Sequence, residues 1–581
     1  MYSLVCAGLT AQDLDKVQPA PVPQLVEAEP VSEQPTLDLN ELRSDMIGAN
    51  GDEEIILDEL KQIVFLSDAT QLDRVQLEGG KTSNLSDYPD LNTEGMRGIV
   101  ELFVGLPVSQ ESLQRLRYSL KIMLGQDGRP FSLVYTPPQD ITDGTVQIVI
   151  QLSSVGAVRI EGTDYFSEQS YLSRLKVEPN GDLDAAAIRT AIDRINQNAF
   201  RSAALRVEKG SEPGTTDVVL QVKERRPYRV FVGYNNTGSV TTTEDRMFAG
   251  FTLGNVFGLA HQMTLQATTD IEAKYSKSVS GNYSMDLPYN HTAVLFGAYS
   301  EIIGVPGSGF DQQGTSWQLG MNYSIPLPAL SASYSQNVEL GFDYKSSDNN
   351  LELNLPPFII PISDNLTHVV QVRGQYRGTL QDAYGSTSFG AKLTYSPGDL
   401  ARQNDDEAFS QSRAFAAAEY VYGNLDVSRT TNFKGFLQDW TWLVRGELQI
   451  SDTNLLGSEQ YSAGGSYSVR GYSEGEVVGD NAFFVSQELQ FPAIQTTVRL
   501  PGYKKPGILR FFVFEDYAKT WNTDKLVGEN AFFLHSVGAG LRYQVAQNFT
   551  LNAAHGWQLR DSGSSDTGDN RRMHISLQLS Y

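Results

Sequence analysis

The 581-residue chain has a formal charge of −24, 40% hydrophobic residues and a single cysteine, Cys6. Phosphate binding needs clustered Lys and Arg, and the absence of any basic stripe argues against a nucleic-acid partner; the lone thiol removes disulfides, zinc–thiolate clusters and a cysteine nucleophile from the rest of the chain. No run of 18 apolar residues occurs, which excludes a helical membrane protein but leaves a transmembrane barrel open, since barrel strands are apolar only at every second residue.

Residues 1–11 (MYSLVCAGLTA) pair a short apolar stretch with small residues and read as a secretory signal remnant, cleaved near Ala11, without a basic start. Residues 12–55 are acidic and Pro-rich, with too few large apolar side chains to offset the entropy of ordering, and read as a linker. Its later part, LDLNELRSDMIG, has the pattern of a short amphipathic helix that needs a partner surface.

From 56 to 225 helical and strand periodicities alternate. Leu113, Leu116, Leu120 and Leu124 share one helical face, and TVQIVIQL alternates Val146, Ile148, Ile150 and Leu152 as a half-buried strand. Ile188, Ile192 and Ile195 then mark a second helix, followed by the strands AALRVEKG and TTDVVLQVKER. The expectation is two small α/β domains, 56–153 and 154–225, each strand–helix–strand–strand in outline.

From 226 to 581 helical periodicity disappears. The segment MHISLQLSY sets Met573, Ile575, Leu577, Leu579 and Tyr581 on one face and His574, Ser576, Gln578 and Ser580 on the other, as a strand between lipid and lumen requires. Similar segments, from YRVFVGY and RMFAGFTLG through SFGAKLTYS, AFAAAEYVYG and TWLVRGELQIS to LRFFVFEDYA and FTLNAAHGWQL, bring the count to about sixteen, an even number that suits closure. Connections alternate between short (NVFGLA, DLPYNH, VAQN) and long (IIGVPGSGFDQQGT, SSDNNLELNLPPFIIPISDN and 453–481), matching periplasmic turns and outer loops. The fold class is therefore an all-β transmembrane barrel of about sixteen antiparallel strands, preceded by two small α/β domains.

Chemistry-bearing patterns are absent. The six histidines (261, 291, 368, 535, 555 and 574) show no metal-ligand spacing, no phosphate-cradling GxxxxGK[ST] occurs, and no Ser/His/Asp arrangement stands out. No catalytic residue, metal or cofactor is assigned, and the expectation is a protein that is not an enzyme.

Several stretches in order resemble one family, the outer-membrane transporters of two-partner secretion of the haemolysin secretion/activation type. YTPPQDITDGTVQIVI resembles its Pro-x-Gln-Asp-x-x-Asp-Gly signature through Pro137, Gln139, Asp140, Asp143 and Gly144. Residues 195–239 resemble the junction between the second polypeptide-transport-associated (POTRA) domain and the first barrel strand, and FTLGNVFGLAHQMTLQ resembles the first periplasmic hairpin. Within GGSYSVRGYSEGEVVGD, the tetrapeptide Val469-Arg470-Gly471-Tyr472 matches the motif at the tip of the sixth outer loop.

The resemblance implies that loop 453–481 folds back into the barrel and that Arg470 meets an acidic residue in a Phe-x-Asp-x-Gly pattern. Here that pattern reads Phe514, Asp516 and, as a departure, Ala518. A guanidinium in a lumen is costly unless paired, and its planar fork suits a carboxylate, so the pairing is sound on physical grounds also. Because Phe514 and Asp516 share one face of their strand, an inward Asp516 requires an inward Phe514. Whether Arg470 gates the loop or only staples it stays open.

The implied function is a transporter in the bacterial outer membrane with its N-terminal domains in the periplasm. POTRA domains would capture an unfolded TpsA-type exoprotein, by strand addition to a sheet edge, and the barrel would secrete it without nucleotide. Candidate capture residues are Gln139, Asp140, Arg201 and Arg206, and residues 12–55 would supply a plug helix. Other expected partners are outer-membrane lipid, and periplasmic chaperones and the barrel assembly machinery for the protein's own insertion, with a monomeric state. The alternative is a BamA- or TamA-like assembly factor that inserts other barrels.

Overall fold

The computed structural model describes residues 55–72, 81–89, 91–126, 129, 132–152, 154–175, 177, 185–212, 215–239, 242–304, 310–328, 330–331, 333–355, 358–500, 503–563 and 570–581. The expected signal remnant and, apart from Ile55, the linker with its plug helix lie outside these residues. Contacts divide the described chain into an N-terminal unit ending at Arg226 and a second unit from Pro227 to Tyr581.

In the N-terminal unit, strand Thr145–Gln151 runs parallel to Gln62–Leu66 and antiparallel to Leu133–Tyr135. Helix Glu94–Phe103 begins where Thr93 accepts the Met96 N–H, and its 3.6-residue period places Met96, Ile99, Val100 and Phe103 in the core. Helix Gln110–Gln126 adds Leu116, Leu120 and Leu124 to that core, with Leu113 packed at its margin. The strand expected to be half-buried is buried on both faces: Val149, opposite Val146, Ile148 and Ile150, packs on Val64 and Leu66 beside Leu72. Leu72, which follows strand Gln62–Leu66, packs over this second face and accounts for the difference.

The pattern recurs from 154. Strand Thr215–Glu224 lies between parallel Ser154–Glu161 and antiparallel Arg201–Lys209, with helices Glu168–Leu175 and Ala185–Asn196. Among the described residues each domain thus carries two α-helices where one was expected. In the second, Ile188, Ala191 and Ile195 are the buried face, and Ile192 sits at its edge.

From Tyr228 onward the strands close a barrel. Asn481–Gln490 and Ile494–Leu500 run in line against the same partner, Tyr503–Trp521, so the closed sheet has sixteen strand positions among the described residues. All sixteen segments expected from the sequence fall on them. The last strand, Arg571–Ser580, pairs with the first, Tyr228–Asn235, from Ser580↔Phe231 to Ser576↔Asn235. His574 and Gln578 are buried, whereas Met573, Leu579 and Tyr581 are exposed to the outside, as strands facing lipid require.

Three expectations change. The long loop expected over 302–315 is largely strand, because Thr292–Ile303 ends at 303 and Phe310–Pro326 begins at 310, with Ile303 paired to Gln313. Most of the long loop expected over 346–365 is strand: its described residues continue Tyr334–Leu355 and Phe358–Asp382, which pair as far as Leu355↔Phe358. In AFAAAEYVYG the strand begins only at Glu419. Asp405 caps a helix, Asp406–Ser412, by accepting the Ala408 N–H at 2.9 Å, and Ala416 and Ala418 pack on its Phe409 instead of joining the sheet.

Candidate functional site

Between strands Thr441–Ser451 and Asn481–Gln490, the chain enters the barrel interior. Its two limbs zip together through Tyr461–Ala463 and Val477–Gly479, and Gly464, Gly465 and Gly471 take φ of 107°, 103° and 97°, which lets the intervening tip turn tightly. Val469 and Tyr472 are fully buried in a cluster with Ala463, Val477, Phe484, Ala518 and Leu534. The Tyr472 hydroxyl bonds to the carbonyls of His535, at 3.0 Å, and Arg560. Ala518, where the motif has glycine, is one wall of this cluster and leaves the carboxylate two residues earlier in place.

Asp516 is wholly buried, and the structure sets Arg470 against it in a fork: Nε to Oδ2 at 2.8 Å and Nη2 to Oδ1 at 2.9 Å. The Arg470 backbone N–H also donates to Oδ2, at 3.0 Å, and the Ser486 hydroxyl donates to Oδ1 at 2.6 Å. The remaining guanidinium nitrogen, Nη1, reaches Glu488 at 2.8 Å, and Glu488 is in turn held by Arg542 at 2.5 and 3.0 Å. Two cations thus face two carboxylates, and the cluster is neutral without solvent. Phe514 points inward, as the shared strand face demands, and lies under the guanidinium with Cζ 3.6 Å from its ring centre.

Gly471 is gripped through its backbone. Its N–H donates to His574 Nε2 at 3.1 Å, and its carbonyl accepts from Gln558 at 2.8 Å. Two further ion pairs hold the limbs: Lys345 to Glu459 at 2.8 Å, and Arg413 to Asp480 at 2.5 Å.

Sequence reasoning missed Glu488, Arg542, His574, Lys345–Glu459 and Arg413–Asp480. The signal for Glu488 was within reach. Strand register sets Ser486 opposite Asp516, so Glu488, two residues on, shares the inward face. The partners of Glu459 and Asp480 lie 114 and 67 residues away, where no local pattern points.

The candidate capture residues lie in the N-terminal unit and do not form one cluster. Gln139 exchanges two 2.6 Å bonds with the backbone of Gln147 and so extends the sheet as a strand would. Asp140 is exposed; bonds from the Thr142 N–H and hydroxyl hold its carboxyl below the usual range. Arg206 lies on edge strand Arg201–Lys209 beside Glu208 and Glu161, at 3.0 and 3.3 Å. Arg201 corrects the expectation. It is 1% exposed, its guanidinium 5.1 and 5.2 Å from the rings of Phe166 and Tyr171 and bonded to the Ile195 carbonyl, so it belongs to the interior of its domain and not to an exposed edge.

Comparison with known proteins follows the barrel and its junction. A family model described as "Haemolysin secretion/activation protein ShlB/FhaC/HecB" matches residues 214–543, more than half of the chain. The heme/hemopexin transporter protein HuxB of Haemophilus influenzae (strain 86-028NP) is 21% identical over 84% of this chain and 84% of its own. Among solved structures, CdiB from Escherichia coli superposes with a TM-score of 0.71 at 16% identity, covering 94% of this chain and 98% of that one. CdiB from Acinetobacter baumannii gives 0.64 at 17% identity, covering 98% and 96%. At these identities the structures establish a shared fold.

Proposed function

The chain belongs to the haemolysin secretion/activation protein (ShlB/FhaC/HecB) family of outer-membrane two-partner secretion transporters, and from that premise we propose how it moves its cargo. The two N-terminal domains act as POTRA domains that capture an unfolded exoprotein in the periplasm. Capture is by strand addition, in which backbone hydrogen bonds give affinity with little sequence demand. Leu133–Tyr135 is an edge of its sheet and exposes Leu133 and Tyr135, which supports this reading. Gln139, Asp140 and Arg206 lie on or beside such edges and guide the cargo. The barrel then passes the chain outward as loop 453–481 shifts. No nucleotide takes part, and cargo folding outside the cell supplies direction.

The observation that carries the proposal is the inward loop, with Arg470 neutralised on the wall by Asp516 and Glu488. A largely buried lock on a lumenal loop suits a conduit that is closed at rest and opened by displacement of that loop. The protein's own insertion draws on periplasmic chaperones and the barrel assembly machinery. The test is deletion of the protein in cells expressing a large exoprotein encoded next to it. Loss of that exoprotein from the surface, with other outer-membrane barrels unchanged, is expected. An exoprotein that still reaches the surface overturns secretion, and a general fall in barrel proteins indicates an assembly factor instead.

A further inference from the structure

Asp480 is the last residue before strand Asn481–Gln490, is wholly buried, and lies away from the Arg470 cluster. Its carboxylate gathers five donors from four residues. Oδ1 accepts from Arg413 Nη1 at 2.5 Å, the Leu455 N–H at 2.9 Å and Gln460 Nε2 at 3.3 Å. Oδ2 accepts from Arg413 Nη2 at 3.1 Å and the Thr523 N–H at 3.2 Å. Leu455 and Gln460 belong to the descending limb of the inward loop and Asp480 ends its ascending limb, so this one group ties the limbs together.

Arg413 belongs to a different outer loop. It follows helix Asp406–Ser412, whose Phe409 is fully buried against Leu455 and Leu456 of the descending limb. Its Nη1 also bonds to the Leu455 carbonyl, and Asn454 Nδ2 donates to the Ala414 carbonyl at 3.1 Å. The helix is therefore a mount that packs on one limb while its arginine grips the carboxylate of the other.

We infer that Arg413 and Asp480 form a second latch on the inward loop, independent of the Arg470 lock, and that release of helix Asp406–Ser412 is a required step in opening the conduit. The Arg470 cluster fixes the loop tip; the Arg413 clasp fixes the limbs. Displacement of the whole loop breaks both. The inference rests on the reading of the loop as the moving part. Arg413 and Asp480 are positioning residues, because they act through the loop and not on cargo.

The test uses the full chain in planar lipid bilayers, where opening is read without cargo. Arg413→Gln and Asp480→Asn are expected to raise open-state occupancy about tenfold or more, because either change leaves a buried charge without its partner. In an Arg470→Ala background the effect of Arg413→Gln should multiply that of Arg470→Ala. Heat-modifiable gel mobility reports whether each barrel is folded. Should Asp480→Asn fail to fold, Arg413→Lys keeps the charge and loses only the fork, and it too should open more often. Occupancy within about twofold of wild type in folded Arg413→Gln and Arg413→Lys overturns the latch, as does an Arg413→Gln effect that vanishes in the Arg470→Ala background. A chain that opens as expected yet secretes nothing refutes the secretion reading and leaves the latch standing.

Discussion

Replacing Arg470 by alanine removes four side-chain hydrogen bonds, two to Asp516 and one each to Glu488 and Ser486, and uncovers the Phe514 ring. Removing one partner of a buried pair costs about 3–5 kcal/mol, chiefly because the other charge is stranded. Two features place this case near the lower bound. Asp516 keeps the Ser486 hydroxyl and the backbone N–H of residue 470, and Glu488 keeps both bonds from Arg542. About 3 kcal/mol is roughly two decades in the equilibrium between loop held and loop released, since each 1.4 kcal/mol is about tenfold. Hydrogen exchange of residues 464–476 in the full chain should therefore quicken by about a hundredfold, while the barrel strands keep their protection. Exchange that quickens less than about threefold would show that Arg470 does not hold the tip, and unchanged secretion with it would remove any role for the pair.

Gly471→Ala should release the tip in the same assay, because its φ of 97° is strained for alanine and the new Cβ would lie 3.0 Å from the Gly556 carbonyl carbon; retained protection would refute this. Gly528→Ala, at φ 88° with nothing within 4 Å, should leave the tip protected. In the second α/β domain, Arg201→Ala should lower stability by about 2–4 kcal/mol, seen as faster limited proteolysis of that domain, whereas Arg206→Ala should stay within about 0.5 kcal/mol. Equal effects would contradict the burial of Arg201 against Phe166 and Tyr171. Asp140 has its carboxyl held low by Thr142, so its bonds are intact above the ordinary aspartate range and are lost as pH falls through the lowered folded value. Amide shifts of Thr142 followed by NMR should titrate below a free aspartate, and a midpoint at or above the ordinary value would refute it.

The barrel was legible because lipid imposes a rule on every crossing strand: Met573, Leu577 and Leu579 must alternate with His574, Ser576 and Gln578. Beyond the membrane that rule lapses, and the polar run SSDNN with Pro356, Pro357 and Pro361 makes 346–365 read as a loop. The helix Glu94–Phe103 was missed because Gly95 and Gly98 interrupt a short amphipathic run. Arg470 and Asp516 were found through a motif. The rest of the site depends on register and on contacts over long sequence separations, which single-sequence periodicity does not encode. Arg201 misled because an arginine on an edge strand is usually solvated; here two aromatic rings and a helix-end carbonyl supply its surroundings.

The meeting of Gly471 with Gly556 has a consequence for exchange between relatives. The two residues touch backbone to backbone: a Cβ built on Gly556 would stand 2.6 Å from the Gly471 nitrogen. No side chain mediates the contact, so no second substitution can absorb the first by repacking. A chimaera that joins this loop to a foreign barrel should seat only where that barrel also offers a bare backbone at the position of Gly556, however well its acidic wall matches Arg470. Compatibility between loop and barrel is then decided by the absence of two side chains before it is decided by charge.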